Sequence, residues 1–558
     1  MILELSRAGL RLARMASFSD HEATLFFPEK YASQLRFAPG LSVPEAEQRC
    51  FLSRVPTAVL RGGSLALTSD YMGRHHIYVH ERVESDGPRI TFSDDPFDFA
   101  EVLQPDLESL RLMPALKFIP LPLSCIRETS RLMPGARRTY DLRTVSLKHE
   151  QNLLSETFAP QAGNYDASAI RATLSSVLKD QVSDGLVQHV FLSGGMDSAL
   201  LVHLLRDSGH SVKAWTASFE SFLGRLEAKR AQASAAFLGA DSTVIDIDRE
   251  GKELTFAVLD HLREPFADVA SIAECVLAKH AAAGGARTVY EGEGVDSLMC
   301  GSYKFVVEYY RATLRLLTSF VPDFALRNAG RQGRFNKLRM NLGQMKALAH
   351  SQGADFDRHL GFLLQHSAWD SVPQHVREGV GGAFRFYYDL FPEADRMNRL
   401  AAMTFWGNIP NLENRKLDLV ERYAGIEFNL IFQDHRFIRT SLSLPASRKV
   451  NYGYGKACMR EAYEGRLPAH TLTRKKLSFV PPVIENLDQH ACDELLDGAL
   501  FASDDTHRML REHRSGTRDH LSALWAILVT NHWLHRYRSA RRSSPELRTI
   551  LPQATERA

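Results

Sequence analysis

Val190-Phe191-Leu192-Ser193-Gly194-Gly195-Met196-Asp197-Ser198 runs an apolar strand into Ser-Gly-Gly-Met-Asp-Ser and from there straight into a helical pattern. Two glycines let the backbone approach an anion with no Cβ in the way. The helix that follows offers free N–H groups and a partial positive charge at its N-terminus. Leu192, Ser193, Gly194, Gly195, Asp197 and Ser198 are therefore candidate phosphate-binding residues. The serines add hydroxyl donors. Asp197 cannot bind phosphate itself, but it can hold the Mg²⁺ that phosphate brings. The competing reading is an ordinary strand–turn–helix connection with an Asp/Ser cap, and the full string after a strand argues against it.

Outward from this stretch, strands alternate with helices. Helical spacing over 167–183 precedes the Val187–Leu192 strand. A helix over 198–207, a strand over 213–219, a helix over 226–238, a strand over 243–247, helices over 252–262 and 272–282 and a strand over 288–290 follow. That alternation predicts βαβ units in a doubly wound parallel sheet covered on both faces. From about Tyr303 the chain reads as helical additions, and the 521–537 helix with Trp525 and Trp533 reads as core. Before residue 150, short runs at 58–60, 64–68, 77–80 and 89–92 are separated by Gly, Asp and Ser, which predicts an antiparallel sheet layer. The expected fold is thus α/β and α+β. Its expected parts are an N-terminal region 1–158, a polar linker 159–166, a nucleotide-dependent region 167–540 and a loose tail 541–558.

The 558 residues carry a formal net charge of +2, with 44% hydrophobic and 24% charged residues, so no global charge bias calls for nucleic acid or an anionic membrane. The six cysteines lie at 50, 125, 275, 300, 458 and 492, with no paired metal spacing. A cytoplasmic protein without a membrane span is expected: Arg7, Arg11 and Arg14 interrupt any signal-like apolar stretch, and the longest apolar run near the C-terminus is too short to cross a bilayer.

A second string, Glu291-Gly292-Glu293-Gly294-Val295-Asp296-Ser297, also follows a strand. Loops at the carboxyl ends of parallel strands line one crevice, so Asp197 and Asp296 could share a metal there. The alternative is an acidic glycine-rich surface turn. The adjacent His75 and His76 point different ways and are expected to be solvated.

With these strings, the chain resembles the asparagine synthetase family. The 193–198 loop resembles its ATP-pyrophosphatase motif, and 291–297 followed by Cys300-Gly301-Ser302-Tyr303 resembles its GEGxDE…GGY motif. Glu264 to Ser271 resembles its EPFADxS stretch. Ile426-Glu427-Phe428, Phe432-Gln433-Asp434-His435-Arg436 and Leu442-Ser443-Leu444-Pro445 resemble its E-x-R-x-P-F-L-D-H-R…SLP signature, and Arg474-Lys475-Lys476-Leu477-Ser478-Phe479 stands where the family has RKKxGF. Asp70 to Tyr78 and Pro134 to Leu142 resemble two stretches of the family's glutaminase domain. The family's ammonia-releasing cysteine follows the initiator Met, and Ile2 stands there instead, so a degenerate glutaminase-like domain is expected over 1–158. Val295, Ser297 and Asn429 to Ile431 also depart from the family pattern.

The resemblance implies an AMP-forming ligase that uses ATP and Mg²⁺. Glu291 and Gly292 would join the first loop at the pyrophosphate, and Asp197 and Asp296 would hold the metal. Lys476 would stabilise anionic transition states, and Glu293 would assist loss of the amine's proton. Branches without the nucleophile include lasso peptide macrolactam synthetases and β-lactam synthetases. The latter carry a tyrosine where this chain has Glu293, which favours intramolecular macrolactam formation on a precursor peptide, with a leader-peptidase partner. Asparagine synthesis from ammonia, β-lactam synthesis and a non-catalytic binding protein remain the alternatives.

Overall fold

The computed structural model describes residues 2–321 except 7, 8, 33, 34, 36, 38–40, 86, 164 and 183–186; 342–363 except 343, 344, 347, 348 and 351–353; 374–473 except 452; and 500–540 except 502. Lys476 and the tail 541–558 lie outside these residues.

Among the described residues, the N-terminal part supplies the strands β1 Ile2–Ser6, β2 Gly9–Ala13, β3 Met15–Ser19, β4 Ala23–Pro28, β5 Thr57–Arg61, β6 Ser64–Thr68, β7 Tyr78–Glu84, β8 Gly87–Ser93, β9 Thr129–Arg131, β10 Ala136–Asp141 and β11 Ser146–Asn152. They form two antiparallel sheets, ordered β2-β1-β8-β7-β9 and β11-β10-β6-β5-β4-β3. Leu3, Leu5, Val79, Ile90 and Phe92 from the first share a core with Ala58, Leu65, Leu67 and Tyr140 from the second. Alternate positions along these strands point into the shared core, as the packing of one sheet on another requires. Helix α1 (Val43–Leu52) covers the second sheet's other face through Val43, Ala46 and Cys50.

The parallel sheet uses β12 Val187–Phe191, β13 Ser211–Ser218, β14 Asp241–Asp246, β15 Thr288–Tyr290 and β16 Glu427–Asn429. Its order is β14-β13-β12-β15-β16, every pair parallel. Both faces are covered, so the end of β12 and the residue after it bury both sets of side chains: Val190 and Leu192 enter one core, Phe191 the other. The helices that matter below are α2 (Ala167–Gln181), α3 (Met196–Asp207), α4 (Ser271–Ala283), α5 (Val295–Leu298), α6 (Arg396–Asn408), α7 (Asn414–Ala424), α8 (Ala457–Ala462) and α9 (Leu521–Ala540). Trp525 and Trp533 of α9 are buried, as their spacing predicted.

The strand order reverses between β12 and β15. Chain connections leave in opposite directions at that point and open a crevice at the carboxyl ends of the two strands. Both glycine strings emerge there.

Candidate active site

Helix α3 begins at Met196, with Gly195 as an N-cap that makes no side-chain capping bond. The loop before it is braced from within. Ser198 Oγ accepts from Ser193 N at 3.1 Å and lies 3.0 Å from Ser193 Oγ, while Gly195 N donates to Ser193 Oγ at 3.2 Å. The two serine hydroxyls thus bind each other across the loop and set its curvature. Asp197, in the first turn, is partly exposed, whereas Leu192 and Ser198 are buried.

The second loop closes onto the first. A Cβ added to Gly292 would lie 3.2 Å from the Cβ of Asp197. Gly294 has φ +108°, a left-handed conformation that side chains resist, and it turns the chain into α5, which carries Asp296 in its first turn.

A residue that the sequence reading passed over joins the two. Lys456 Nζ lies 2.6 Å from Asp197 Oδ2 and 2.7 Å from Asp296 Oδ1, its side chain 8% exposed. Lys456 adopts φ 59°, ψ 30° at the N-cap of α8. A non-glycine residue in that region costs about 1–2 kcal/mol. A cation at a helix N-terminus is disfavoured as well. The tertiary ion pairs hold the residue against both costs. The surroundings leave no slack: a Cβ on Gly301 would fall 2.0 Å from Asp296 Oδ1 and 2.3 Å from Lys456 Cε, and one on Gly455 would fall 1.9 Å from the Cys300 carbonyl oxygen. The local signal was the Gly453-Tyr454-Gly455-Lys456 string, a glycine-flanked lysine just before a helix.

Two carboxylate oxygens converging on one cation form a hard oxygen pair that also suits Mg²⁺, which takes one or two carboxylates and completes its shell with phosphate oxygens and water. Among the described residues no group of three or more His, Cys, Asp or Glu could hold a metal by itself. The pair therefore fits a metal delivered with a phosphate-bearing substrate.

Glu293 is engaged differently. Its Oε1 receives Lys416 Nζ at 2.8 Å, and the same ammonium reaches Glu274 Oε1 at 2.8 Å, Glu413 Oε2 at 3.3 Å and Asp268 Oδ2 at 3.9 Å. Lys416 is 3% exposed. Burial opposes its charge, but the carboxylates around it hold its pKa well above the ordinary value. Burial pushes Glu274 up to about 7 against the pull of Lys416, with Glu293 and Asp268 adding to the rise. Glu291 is raised well above the carboxylate range, first by burial and then by Glu274 and Glu293. A neutral Glu291 can donate to a phosphate oxygen, which an ionised one cannot.

His75 and His76 depart from the expectation of solvated rings: they are 7% and 2% exposed. Their segment is wedged between the N-terminal sheets and the parallel-sheet half, so both sides of the chain are covered. His75 meets Tyr31 Oη, and His76 meets Glu264 and accepts from Arg131.

The chain belongs to the asparagine synthase family, whose model (Asparagine synthase) matches residues 169–535. It is 22% identical over 468 residues to asparagine synthetase (glutamine-hydrolyzing) 1 of Bacillus subtilis (strain 168), covering 79% of this chain and 70% of that protein. It is 26% identical over 453 residues to a Mycobacterium bovis protein named "putative asparagine synthetase (glutamine-hydrolyzing)", covering 77% of this chain and 67% of that one. Membership indicates a ligase and points to ATP-dependent amide ligation, since the family's enzymes use ATP. No helix among the described residues is long and apolar enough to cross a membrane.

Proposed function

We propose that this protein is an AMP-forming carbon–nitrogen ligase that adenylates a carboxylate and joins it to an amine of the same molecule, a precursor peptide. The observation behind the reading is the Lys456 ammonium held between Asp197 and Asp296 at the switch point of the sheet, beside the uncapped start of α3. Attack of a carboxylate on the α-phosphorus of ATP develops charge on the equatorial and leaving oxygens. Lys456 and the first-turn N–H groups of α3 would meet it, and fixed donors in a partly closed site stabilise such charge without reorganising. Lys476 takes the same work by resemblance. Mg²⁺ bound on Asp197 and Asp296 would supply further charge neutralisation. Glu293 would take the proton that the amine loses as it attacks the acyl carbon and AMP departs.

An amine other than glutamine-derived ammonia is supported by the N-terminal cysteines. Cys50 and Cys125 are both fully buried, and burial pushes the Cys50 thiol up to about 12 and Cys125 further still. Neither can serve as an activated thiolate. Glu293, in place of the tyrosine of β-lactam synthetases, favours macrolactam formation, as in lasso peptide maturation with a leader-peptidase partner. Asparagine synthesis from ammonia is the second reading, favoured by the names of the relatives.

The test incubates the full chain with ATP, Mg²⁺ and either a synthetic peptide bearing a free α-amine and an internal aspartate, or L-aspartate with ammonia. AMP and pyrophosphate should appear. Asp197→Asn, Asp296→Asn and Lys456→Met should each lower their release ~10²-fold or more, each tenfold being about 1.4 kcal/mol of lost charge stabilisation. Release of ADP and phosphate would overturn the mechanism. Glutamate formed from glutamine above a heat-killed control would overturn the amine source.

A further inference from the structure

Lys416 stands apart from the phosphate-facing groups, yet it is among the most constrained cations in the molecule. It lies on α7, one turn after a π-helical turn, Ile409–Glu413, that brings Glu413 onto the same face. Its ammonium contacts carboxylates from three other places: Glu293 from the loop after β15, Glu274 from the first turn of α4, and Asp268 from the segment before it. Glu293 sits on a loop, whereas Lys416 and Glu274 sit on regular helices packed against each other. A lysine buried only for packing is poorly explained, because an apolar residue of similar volume serves a core as well or better. What this lysine adds is a fixed positive charge, equidistant from Glu293 and from a helix-borne partner.

We propose that Lys416 is a positioning residue for the ligation reaction: it locks the Glu293 carboxylate to the α4–α7 helix pair and keeps it ionised, as an acceptor for the proton of the incoming amine. The proposal rests on the role given to Glu293 above. Among the described residues, Glu274, Glu291, Glu413 and Asp268 gather around Lys416 and Glu293, and the Lys416 ammonium is the cation that meets Glu293 Oε1, at 2.8 Å. Burial pushes Glu274 up to about 7 even with the ammonium 2.8 Å away, and raises Glu291 as well, so this pocket disfavours carboxylate charge. Removing the ammonium takes a positive charge from 2.8 Å off Glu293 Oε1, which favours the protonated carboxyl over the proton-accepting carboxylate.

The experiment uses the full chain and the variants Lys416→Met, Lys416→Arg and Glu293→Gln. With no substrate present, infrared spectra at neutral pH report the carbonyl stretch of protonated carboxyl groups. Lys416→Met should strengthen that band, Lys416→Arg should return it to the unmodified level, and adding Glu293→Gln to Lys416→Met should remove most of the gain. An unchanged band in Lys416→Met overturns the proposal whatever the reaction proves to be. Should the Met variant not fold, Lys416→Gln gives the same reading.

The second arm uses whichever carboxylate, peptide or L-aspartate, drives AMP release in the unmodified chain. Hydroxylamine is largely unprotonated at neutral pH and attacks an acyl adenylate without a base. Lys416→Met should therefore keep pyrophosphate exchange into ATP and hydroxamate formation within roughly tenfold, while ligation of the ordinary amine falls by the ~10²–10⁴-fold typical of a lost general base. The acid limb of the remaining ligation should move to higher pH, and Lys416→Arg should restore both rate and profile. Equal loss of exchange, hydroxamate and amide with an unmoved pH profile would show a purely structural residue. Absence of pyrophosphate exchange in the unmodified chain would instead count against the ligase reading, and the infrared arm would still decide the role of Lys416.

Discussion

His76 is buried beside Arg131, Arg415 and Glu264, and its pKa falls from 6.5 to about 3. Burial is the main cause; Arg415 and Arg131 add to it, while Glu264 opposes it. Between those two values the unfolded chain binds a proton that the folded chain refuses. The stability tied to this ring is therefore complete above pH 6.5 and is lost as the pH falls toward 3. The slope is about 1.4 kcal/mol per pH unit for each such group. His359, also pushed down to about 3 by burial, behaves alike. Chemical denaturation at pH 7, 6 and 5 should give a shallower decline for His76→Gln than for the unmodified chain, whatever its absolute stability. Parallel declines would show that His76 titrates normally. Nothing in the local string announced this burial. Adjacent histidines differ in direction, and only tertiary structure decides that both directions are covered.

Among the elements, the two glycine strings were legible because strand, glycine pair and helix start are local. The sequence placed β12, β15 and their loops to within a residue or two, and with them Asp197, Asp296 and Glu293. Lys456 and Lys416 were not legible as site residues. Lys456 arrives some 160 positions after Asp296, and what marks it is a left-handed backbone and two ion pairs. Lys416 and Glu274 sit at ordinary helical positions, and only burial reveals them. The close packing around Lys456 yields a prediction. Gly301→Ala would drive a methyl group into Asp296 Oδ1 and Lys456 Cε. Overpacking of this kind costs about 1–3 kcal/mol of stability. Displacing both charged groups should cost far more in function, with AMP release down ~10²-fold, since displacements on the order of 1 Å carry that penalty. Turnover and thermal unfolding measured on the same preparation check the contrast. A variant that unfolds early but turns over normally would refute the link between this packing and the site.

The molecule as a whole is tied together along α6 and α7. Trp406 donates to the Tyr71 carbonyl at 2.9 Å, Asn414 to Met72 at 2.8 Å and Arg415 to Gly73 at 3.0 Å, while Tyr71 Oη donates to the Gln433 carbonyl at 2.9 Å. Glu264, from the parallel-sheet half, takes Tyr78 Oη at 2.8 Å and pairs with Arg131. Removing residues 1–158 would take away these acceptors, at about 0.5–1.5 kcal/mol per hydrogen bond, and would bare the apolar surface around them to water. A 167–540 fragment alone should therefore be poorly soluble and release no AMP, and co-expression with 1–158 should restore both. A fragment fully active by itself would refute this dependence. Lys416 is the neighbour of Asn414 and Arg415, so the helix turn that grips the N-terminal half also aims the charge at Glu293.

What α6 and α7 grip is main chain: the carbonyl oxygens of Tyr71, Met72 and Gly73. Any residue at those positions presents the same oxygen, provided that the chain keeps its path. Gly73, with φ +55° and Pro410 pressed where a Cβ would stand, is the exception. The joint thus rests on the path of the chain as well as on the side chains of Tyr71, Arg74 and His76, so a deletion here should loosen it more than a conservative substitution. A loop held partly by its backbone tells its length to the rest of the molecule more strictly than its spelling.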